Sequence, residues 1–115
     1  MKVLVSGSRS ITDFDLEGLF PPDTDTIICG GAKGVDQLAE QYADAHQLQK
    51  MIFRPKYDLY GRAAPLKRNE EMVRLADFVI IIWDGKSKGT RYTADYTKKE
   101  GKPLLLLNVS SPPST

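Results

Sequence analysis

Short apolar runs alternate with amphipathic stretches along most of the chain. The runs are rich in β-branched residues, as buried strands are, whereas the stretches between them repeat apolar residues with helical spacing. The pattern predicts five strands, at 2–6, 26–29, 51–53, 78–83 and 103–107. It also predicts three long helices, over 34–46, 66–75 and 90–100, a loop over 56–65, and a short helix that Thr12 or Asp13 caps and that carries Phe14, Leu16, Leu19 and Phe20.

This alternation of strands and helices predicts an α/β protein, a Rossmann-like three-layer sandwich. Because helical crossovers join parallel strands, we expect a five-stranded parallel sheet with helices on both faces. The order 3-2-1-4-5, half of a doubly wound nucleotide-binding sheet, fits this pattern best. The 115 residues suffice for one domain, predicted over 1–108 and followed by a Ser/Pro-rich tail, 109–115, that we expect to be disordered.

Composition narrows the class of protein. The formal net charge is +1, so the chain has no broad attraction for nucleic acid or for an anionic membrane, and any basic site must be local. A single cysteine, Cys29, excludes an internal disulfide and a cysteine-rich zinc site, and its strand position predicts a buried thiol. No apolar run could span a bilayer and the start lacks a signal-peptide pattern, so we expect a cytoplasmic protein with no membrane partner.

Three loops rich in glycine or hydroxyl residues follow predicted strands 1, 2 and 4. In the order 3-2-1-4-5 these loops meet at the switch point of the sheet, where ligands of such folds bind. Glycine-rich backbone and helix N-termini favour phosphate, although each loop alone could be a turn that needs glycine only for its geometry. We therefore expect a ligand that carries phosphate, and neither a cofactor nor a metal. The loop candidates are Gly7, Ser8, Arg9, Gly30, Gly31, Ala32, Gly34, Asp36, Asp84, Gly85, Ser87, Gly89 and Thr90.

Charged residues at the start of the second long helix, 66–75, add candidates for the same site. Arg62, Lys67 and Arg68 oppose the dipole of that helix, which favours a bound anion there over simple surface charge. Arg68 can hold phosphate through a bidentate contact, and Asn69 can hydrogen bond to a ribose or a base.

Several other candidate site residues are open to two interpretations, one as ligand-binding residues and one as structural or solvent-exposed residues. Asp36 can bind loop amides or a ribose, and Arg9 can clamp phosphate or lie in solvent. Tyr57, Tyr60 and Trp83 can stack on a base or pack inside the protein.

Four motifs, in order, resemble the SLOG superfamily, which is named after the Smf DNA-processing proteins and the lonely-guy phosphoribohydrolases. The similarity covers about residues 1–108 and is greatest to small stand-alone members of the domain-of-unknown-function type. It implies a nucleotide pocket in a Rossmann-like fold and a homodimer. The motifs are Gly7-Ser8-Arg9, Gly30-Gly31-Ala32-x-Gly34-Val35-Asp36, Tyr60-Gly61-Arg62-Ala63-Ala64-Pro65 with Arg68-Asn69-x-x-Met72, and Asp84-Gly85-x-Ser87-x-Gly89-Thr90.

The resemblance implies three alternative functions. Members of the superfamily bind nucleotide signals, hydrolyse nucleoside 5′-monophosphates or bind single-stranded DNA. Arg68 matches the arginine of the hydrolases, but Thr93 stands where they carry a glutamate, and a threonine cannot act as a carboxylate base. We therefore expect a nucleotide-binding or sensor domain first. If the protein is an enzyme, Arg68 and Asp84 are the catalytic candidates for cleaving an N-glycosidic bond, and binding to nucleic acid is the third expectation.

Overall fold

The computed structural model describes residues 1–109, which form five strands, four α-helices and one 3-10 helix. The strands are β1 (Lys2–Gly7), β2 (Thr26–Cys29), β3 (Gln49–Ile52), β4 (Phe78–Trp83) and β5 (Leu104–Asn108). The helices are α1 (Val35–Ala45), α2 (Tyr57–Tyr60), α3 (Ala64–Leu75) and α4 (Lys88–Lys99), with the 3-10 helix at Gly61–Ala63 between α2 and α3. None of the helices in this part of the chain combines the length and apolarity needed to cross a membrane.

The five strands form one parallel sheet in the order β3-β2-β1-β4-β5, which confirms the predicted fold class and strand order. β1 lies in the middle and pairs with both β2 and β4. The chain builds one half of the sheet outward from β1 to β3 and then returns to place β4 on the other side of β1. The switch point therefore lies at the carboxyl ends of β1 and β4.

Two apolar layers cover the two faces of the sheet, because successive strand residues point to opposite sides. On one face, α1 packs through Val35, Ala39 and Ala43 against alternate residues of β1, β2 and β4. On the other face, α3 and α4 pack through residues such as Met72 and Ala94. Cys29 lies in the first layer with no exposed surface, and burial raises the pKa of its thiol to about 12, as expected for a core thiol.

The predicted short helix over residues 12–20 is wrong, because this segment is an irregular loop. Ile11 and Leu16 still bury their side chains against α1 and the sheet, so the apolar pattern reports burial correctly but not conformation. The Asp15 carboxylate accepts a hydrogen bond from the amide of Glu17, a local turn that competes with helix formation. Gly18, with φ of +79°, then turns the chain in a conformation that a helix does not contain.

The predicted loop over 56–65 is also partly wrong, since it contains α2, the 3-10 helix and the first residues of α3. Proline in the first turn of α3 is compatible with helix because the amide that it lacks would have no helical partner there. The other elements differ from prediction by one or two residues at their ends. Val109 is hydrogen bonded to the carbonyl of Trp83 at 2.7 Å, and the rest of the predicted tail, 110–115, lies outside the described residues.

Gly7 at the end of β1 gives a direct test of how closely the layers pack. A Cβ there would lie 2.3 Å from the carbonyl oxygen of Ile82 and 2.6 Å from a methyl group of Val35. We expect Gly7→Ala to lower the free energy of unfolding by about 2–3 kcal/mol, because the sheet or α1 must shift. Gly89→Ala is the control, since its Cβ meets open space; urea denaturation should show a change of at most about 1 kcal/mol, and equal losses would contradict this packing.

Candidate functional site

A cleft of about 270 Å³ opens beyond the carboxyl ends of β1 and β4, at the switch point of the sheet. The loops after β1, β2 and β4 form three of its sides, and the first turns of α3 form the fourth. The predicted site residues that line it are Gly7, Arg9, Ala32, Asp36, Arg68, Asn69, Asp84, Ser87, Gly89 and Thr90. The three loops that the sequence predicts to meet therefore surround one cleft.

Other predicted residues do not line the cleft, namely Ser8, Gly30, Gly31, Gly34, Arg62 and Gly85. The cleft in turn includes residues that the sequence argument missed, namely Ser6, Ser10, Pro65 and Leu66. Ser10 carried a usable signal, because its hydroxyl directly follows a predicted ligand loop. Pro65 and Leu66 carried no such signal. The segment that ends at Pro65 was predicted to be a loop, whereas in the structure both residues belong to the helix that forms one wall of the cleft.

Ser8 joins the three loops. Its side chain is 1% exposed, and its hydroxyl accepts a hydrogen bond from the amide of Asp84 at 3.0 Å. Its carbonyl oxygen accepts from the amide of Val35, at 3.4 Å, while its own amide donates to the carbonyl of Ile82. Ser8 thus contributes to the site by positioning the loops after β1, β2 and β4 against one another.

Two of the loop glycines are explained by packing inside the protein. A Cβ on Gly34 would lie 2.5 Å from the carbonyl oxygen of Ser8, and φ of Gly34 is +77°. A Cβ on Gly30 would lie 2.5 Å from the Arg68 guanidinium. The glycines therefore let the loops and Arg68 approach each other, rather than leaving room there for a ligand.

The guanidinium of Arg68 is part of the framework of the cleft as well as of its wall. Its Nη1 donates to the carbonyl oxygens of Gly30 at 2.7 Å and Phe53 at 3.1 Å, and its Nε donates to Asn69 Oδ1 at 2.7 Å. Burial lowers the pKa of Arg68, although the nearby Asp36 and Tyr57 partly oppose this. Arg68 ties α3 to the ends of β2 and β3.

A hydrogen-bonded chain continues from Arg68 to the first turn of α4. Asn69 Nδ2 donates to Thr93 Oγ1 at 2.9 Å, and that hydroxyl donates to the carbonyl oxygen of Gly89 at 3.0 Å. Thr93 is fully buried, so its hydroxyl is committed to these two partners. The predicted ligand-binding role of Asn69 is therefore joined by a structural role.

Two carboxylates face the cleft in different environments. Asp36 is 7% exposed and accepts a hydrogen bond from the amide of Ala32 at 3.0 Å, and burial raises the pKa of its carboxyl group. Asp84 accepts from the amides of Lys86 and Ser87 and from the hydroxyl of Ser10, and these bonds lower its pKa to about 2. Asp84 is therefore ionised at neutral pH.

The first turn of α4 and Arg9 contribute groups to the cleft that can bind an anion. Ser87 caps the helix by accepting from the amide of Thr90, at 3.4 Å. Within residues 1–109 the amides of Lys88 and Gly89 donate to no acceptor, and the space beside Gly89 is open. The exposed Arg9 forms no ion pair in that part of the chain. No group of three His, Cys, Asp or Glu side chains that could hold a metal occurs there either.

The fold and the cleft define the class: an α/β protein with a Rossmann-like parallel sheet and a polar, charged site at its switch point. No protein-family model matches the chain, and no solved structure matches it significantly. The chain is 29% identical over 117 residues to the "Gene 61 protein" of Mycobacterium phage D29, an alignment that covers 90% of this chain and 94% of that protein. That name states no activity, so the function has to be argued from the cleft.

Arg68 provides a test of the framework. Arg68→Ala leaves the partly buried carbonyls of Gly30 and Phe53 without this donor, so we expect the free energy of unfolding to fall by about 3 kcal/mol. The exposed Arg62, which lies outside the cleft, is the control: Arg62→Ala should change stability by about 0.5 kcal/mol or less in the same urea titration. Equal effects of the two substitutions would show that the bonds of Arg68 contribute nothing to stability.

Asp84 predicts an acid dependence of stability. Because folding lowers its pKa from 3.8 to about 2, its ionised form stabilises the folded state above about pH 4, and this contribution is lost as the pH falls towards 2. The difference in unfolding free energy between the protein and Asp84→Asn should therefore be constant above about pH 5 and shrink in acid. Ser10→Ala, which removes one donor, should reduce this difference. Urea titrations at a series of pH values measure it, and a difference that stays constant down to about pH 2 would contradict it.

Proposed function

We propose that the protein binds a nucleotide, or a nucleotide-derived ligand that carries phosphate, in the cleft at the switch point of the sheet, and that it acts as a binding or sensor domain. The observation that carries the proposal is that the exposed Arg9 and the first turn of α4, whose amides of Lys88 and Gly89 donate to no acceptor within residues 1–109, belong to the same cleft as two carboxylates. The order of the sequence motifs supports the further proposal that the chain is a SLOG superfamily member. Homodimerisation and a cytoplasmic location stay predictions.

The phosphate of such a ligand would lie between Arg9 and the first turn of α4. The amides of Lys88 and Gly89 are donors without acceptors in the described chain, and the positive end of the helix dipole adds to their attraction for an anion. A guanidinium without a carboxylate partner can meet phosphate through two parallel hydrogen bonds. Side-chain hydroxyls of Ser87 and Thr90 lie on the same side of the cleft.

The carboxylates suit the sugar rather than the phosphate. Asp84 is ionised at neutral pH and would repel an anion, but it accepts hydrogen bonds from hydroxyl groups, as its contact with Ser10 shows. Asp36 offers a second, more buried acceptor in the same cleft. The cleft therefore offers both cations and carboxylates, which together suit a ligand that combines phosphate with a hydroxylated sugar.

A binding role is better supported than hydrolysis of an N-glycosidic bond. Thr93, at the position where the related hydrolases carry a glutamate, is buried and hydrogen bonded to Asn69 and Gly89, so it offers no charge to a reacting sugar. Asp84 could stabilise a cationic sugar as an anion, but with a pKa of about 2 it is a poor proton donor. Single-stranded nucleic acid would need a longer basic groove, which a net charge of +1 does not favour.

Arg9 is the substitution that tests this proposal without disturbing the framework. We expect Arg9→Gln to weaken the binding of AMP, GMP, CMP or UMP, whichever binds, by about tenfold or more, because a charge-assisted contact to phosphate is lost. Isothermal titration calorimetry measures the affinity, and urea titration should show unchanged stability. Lys33→Gln is the matched control, since Lys33 is exposed on the loop after β2 but does not line the cleft.

Three results would contradict or replace the proposal. If none of the four nucleotides binds and none raises the melting temperature, or if Arg9→Gln and Lys33→Gln weaken binding equally, the cleft is not a site for them. Release of free base from any nucleotide, abolished by Asp84→Asn, would assign the protein to the hydrolases. Tighter binding of an oligodeoxynucleotide than of any mononucleotide, with a steep dependence on salt, would assign it to the nucleic-acid-binding proteins.

A further inference from the structure

The segment that precedes α3 exposes an unusual amount of apolar surface beside the cleft. α2 buries none of its residues, and its side chains of Tyr57, Leu59 and Tyr60 are 59%, 68% and 48% exposed. Its main contacts are with the 3-10 helix and α3, the elements that follow it in the chain. An exposed cluster of this kind on a small protein is typical of a surface that binds something.

The lining of the cleft is asymmetric in polarity. The loops after β1 and β4 contribute charged, hydroxyl and backbone groups, whereas the apolar side chains Pro65 and Leu66 come from the first turns of α3. These two residues follow α2 and the 3-10 helix directly in the chain. Tyr57 also lies near enough to Arg68, in the cleft wall, to influence its pKa. Tyr57 and Tyr60 do not line the cleft itself, but α2 contacts α3, whose first turns form one wall of the cleft, so the exposed aromatic surface lies next to that wall.

We propose that Tyr57 and Tyr60 form, with Pro65 and Leu66, the subsite that receives the planar base of the nucleotide. This inference rests on the proposed function, because it takes the phosphate to lie on the opposite side, beside Arg9 and α4. Aromatic rings bind bases of any type by stacking, so the subsite selects a nucleoside phosphate over a sugar phosphate without requiring a particular base. It gives the tyrosines a role that the packing of the protein does not explain.

Gly61 connects α2, which carries the two tyrosines, to the 3-10 helix and α3. Its φ of +55° and ψ of −129° are disfavoured for residues with a side chain, and no neighbouring atom would meet a Cβ there. Only the backbone conformation therefore requires glycine at this position. That conformation sets the direction of α2 relative to the 3-10 helix that follows it. It therefore fixes the positions of the two tyrosines relative to α3.

The test compares ligands that differ only in the base. The affinities of AMP, GMP, CMP, UMP and ribose 5-phosphate are measured by calorimetry for the protein, for Tyr57→Leu/Tyr60→Leu and for Leu59→Ala. We expect the best nucleotide to bind about tenfold or more tightly than ribose 5-phosphate, and the double substitution to remove most of that difference while leaving the affinity for ribose 5-phosphate unchanged. Leu59→Ala, on the same exposed turn, should leave all the affinities unchanged.

The outcomes separate this inference from the proposed function. If ribose 5-phosphate and the nucleotides bind equally and Arg9→Gln weakens them all, the phosphate site stands and the base subsite is overturned. If no phosphate ligand binds, both proposals fail. The same variants are examined by sedimentation. If the double substitution turns a dimer into a monomer and leaves the nucleotide affinities unchanged, α2 is an interface with a second copy of the chain. That result overturns the base subsite.

Discussion

The contact between the Arg68 guanidinium and the carbonyl oxygen of Gly30 is the interaction on which the architecture of the site depends. It brings α3 over the carboxyl end of β2, where a side chain on residue 30 would collide with it. The same nitrogen donates a second hydrogen bond to the carbonyl oxygen of Phe53, directly after β3, and so links α3 to that strand as well. From Arg68 the chain of hydrogen bonds through Asn69 and Thr93 reaches the first turn of α4. The two halves of the sheet thus share one polar framework at its carboxyl edge.

Some polar groups of the cleft are hydrogen bonded within this framework, whereas others remain available to a ligand. The hydrogen bonds of Arg68 hold the walls of the cleft together. Its burial there disfavours the charged guanidinium and lowers the pKa of Arg68. Arg9 has no such task in the described chain, which makes it the cation available to a ligand. The same division separates Ser8, which is buried between the loops, from Ser10, which lines the cleft. Two serines of the same loop therefore have different physical roles.

The arrangement of the sheet could be predicted because it follows from local patterns. Runs of consecutive buried residues in β1 and β4, with helices between the strands, leave few topologies open, and the order of the strands is confirmed. The segment that ends at Phe20 could not be predicted in the same way. Its apolar residues have helical spacing, but the turn at Asp15 and the positive φ of Gly18 prevail over that spacing. Burial of Ile11 and Leu16 satisfies the hydrophobic pattern without any helix.

The sequence by itself determined which strand ends meet and which loops surround the cleft, because buried strands that alternate with helices leave few arrangements open to a parallel sheet. Only the tertiary structure decided what each polar group does there. Gly30 and Gly34 fit closely against the protein's own atoms, and Arg68 donates to main-chain carbonyls from distant segments. These roles depend on distances between segments far apart in the chain, and neither composition nor spacing records such distances.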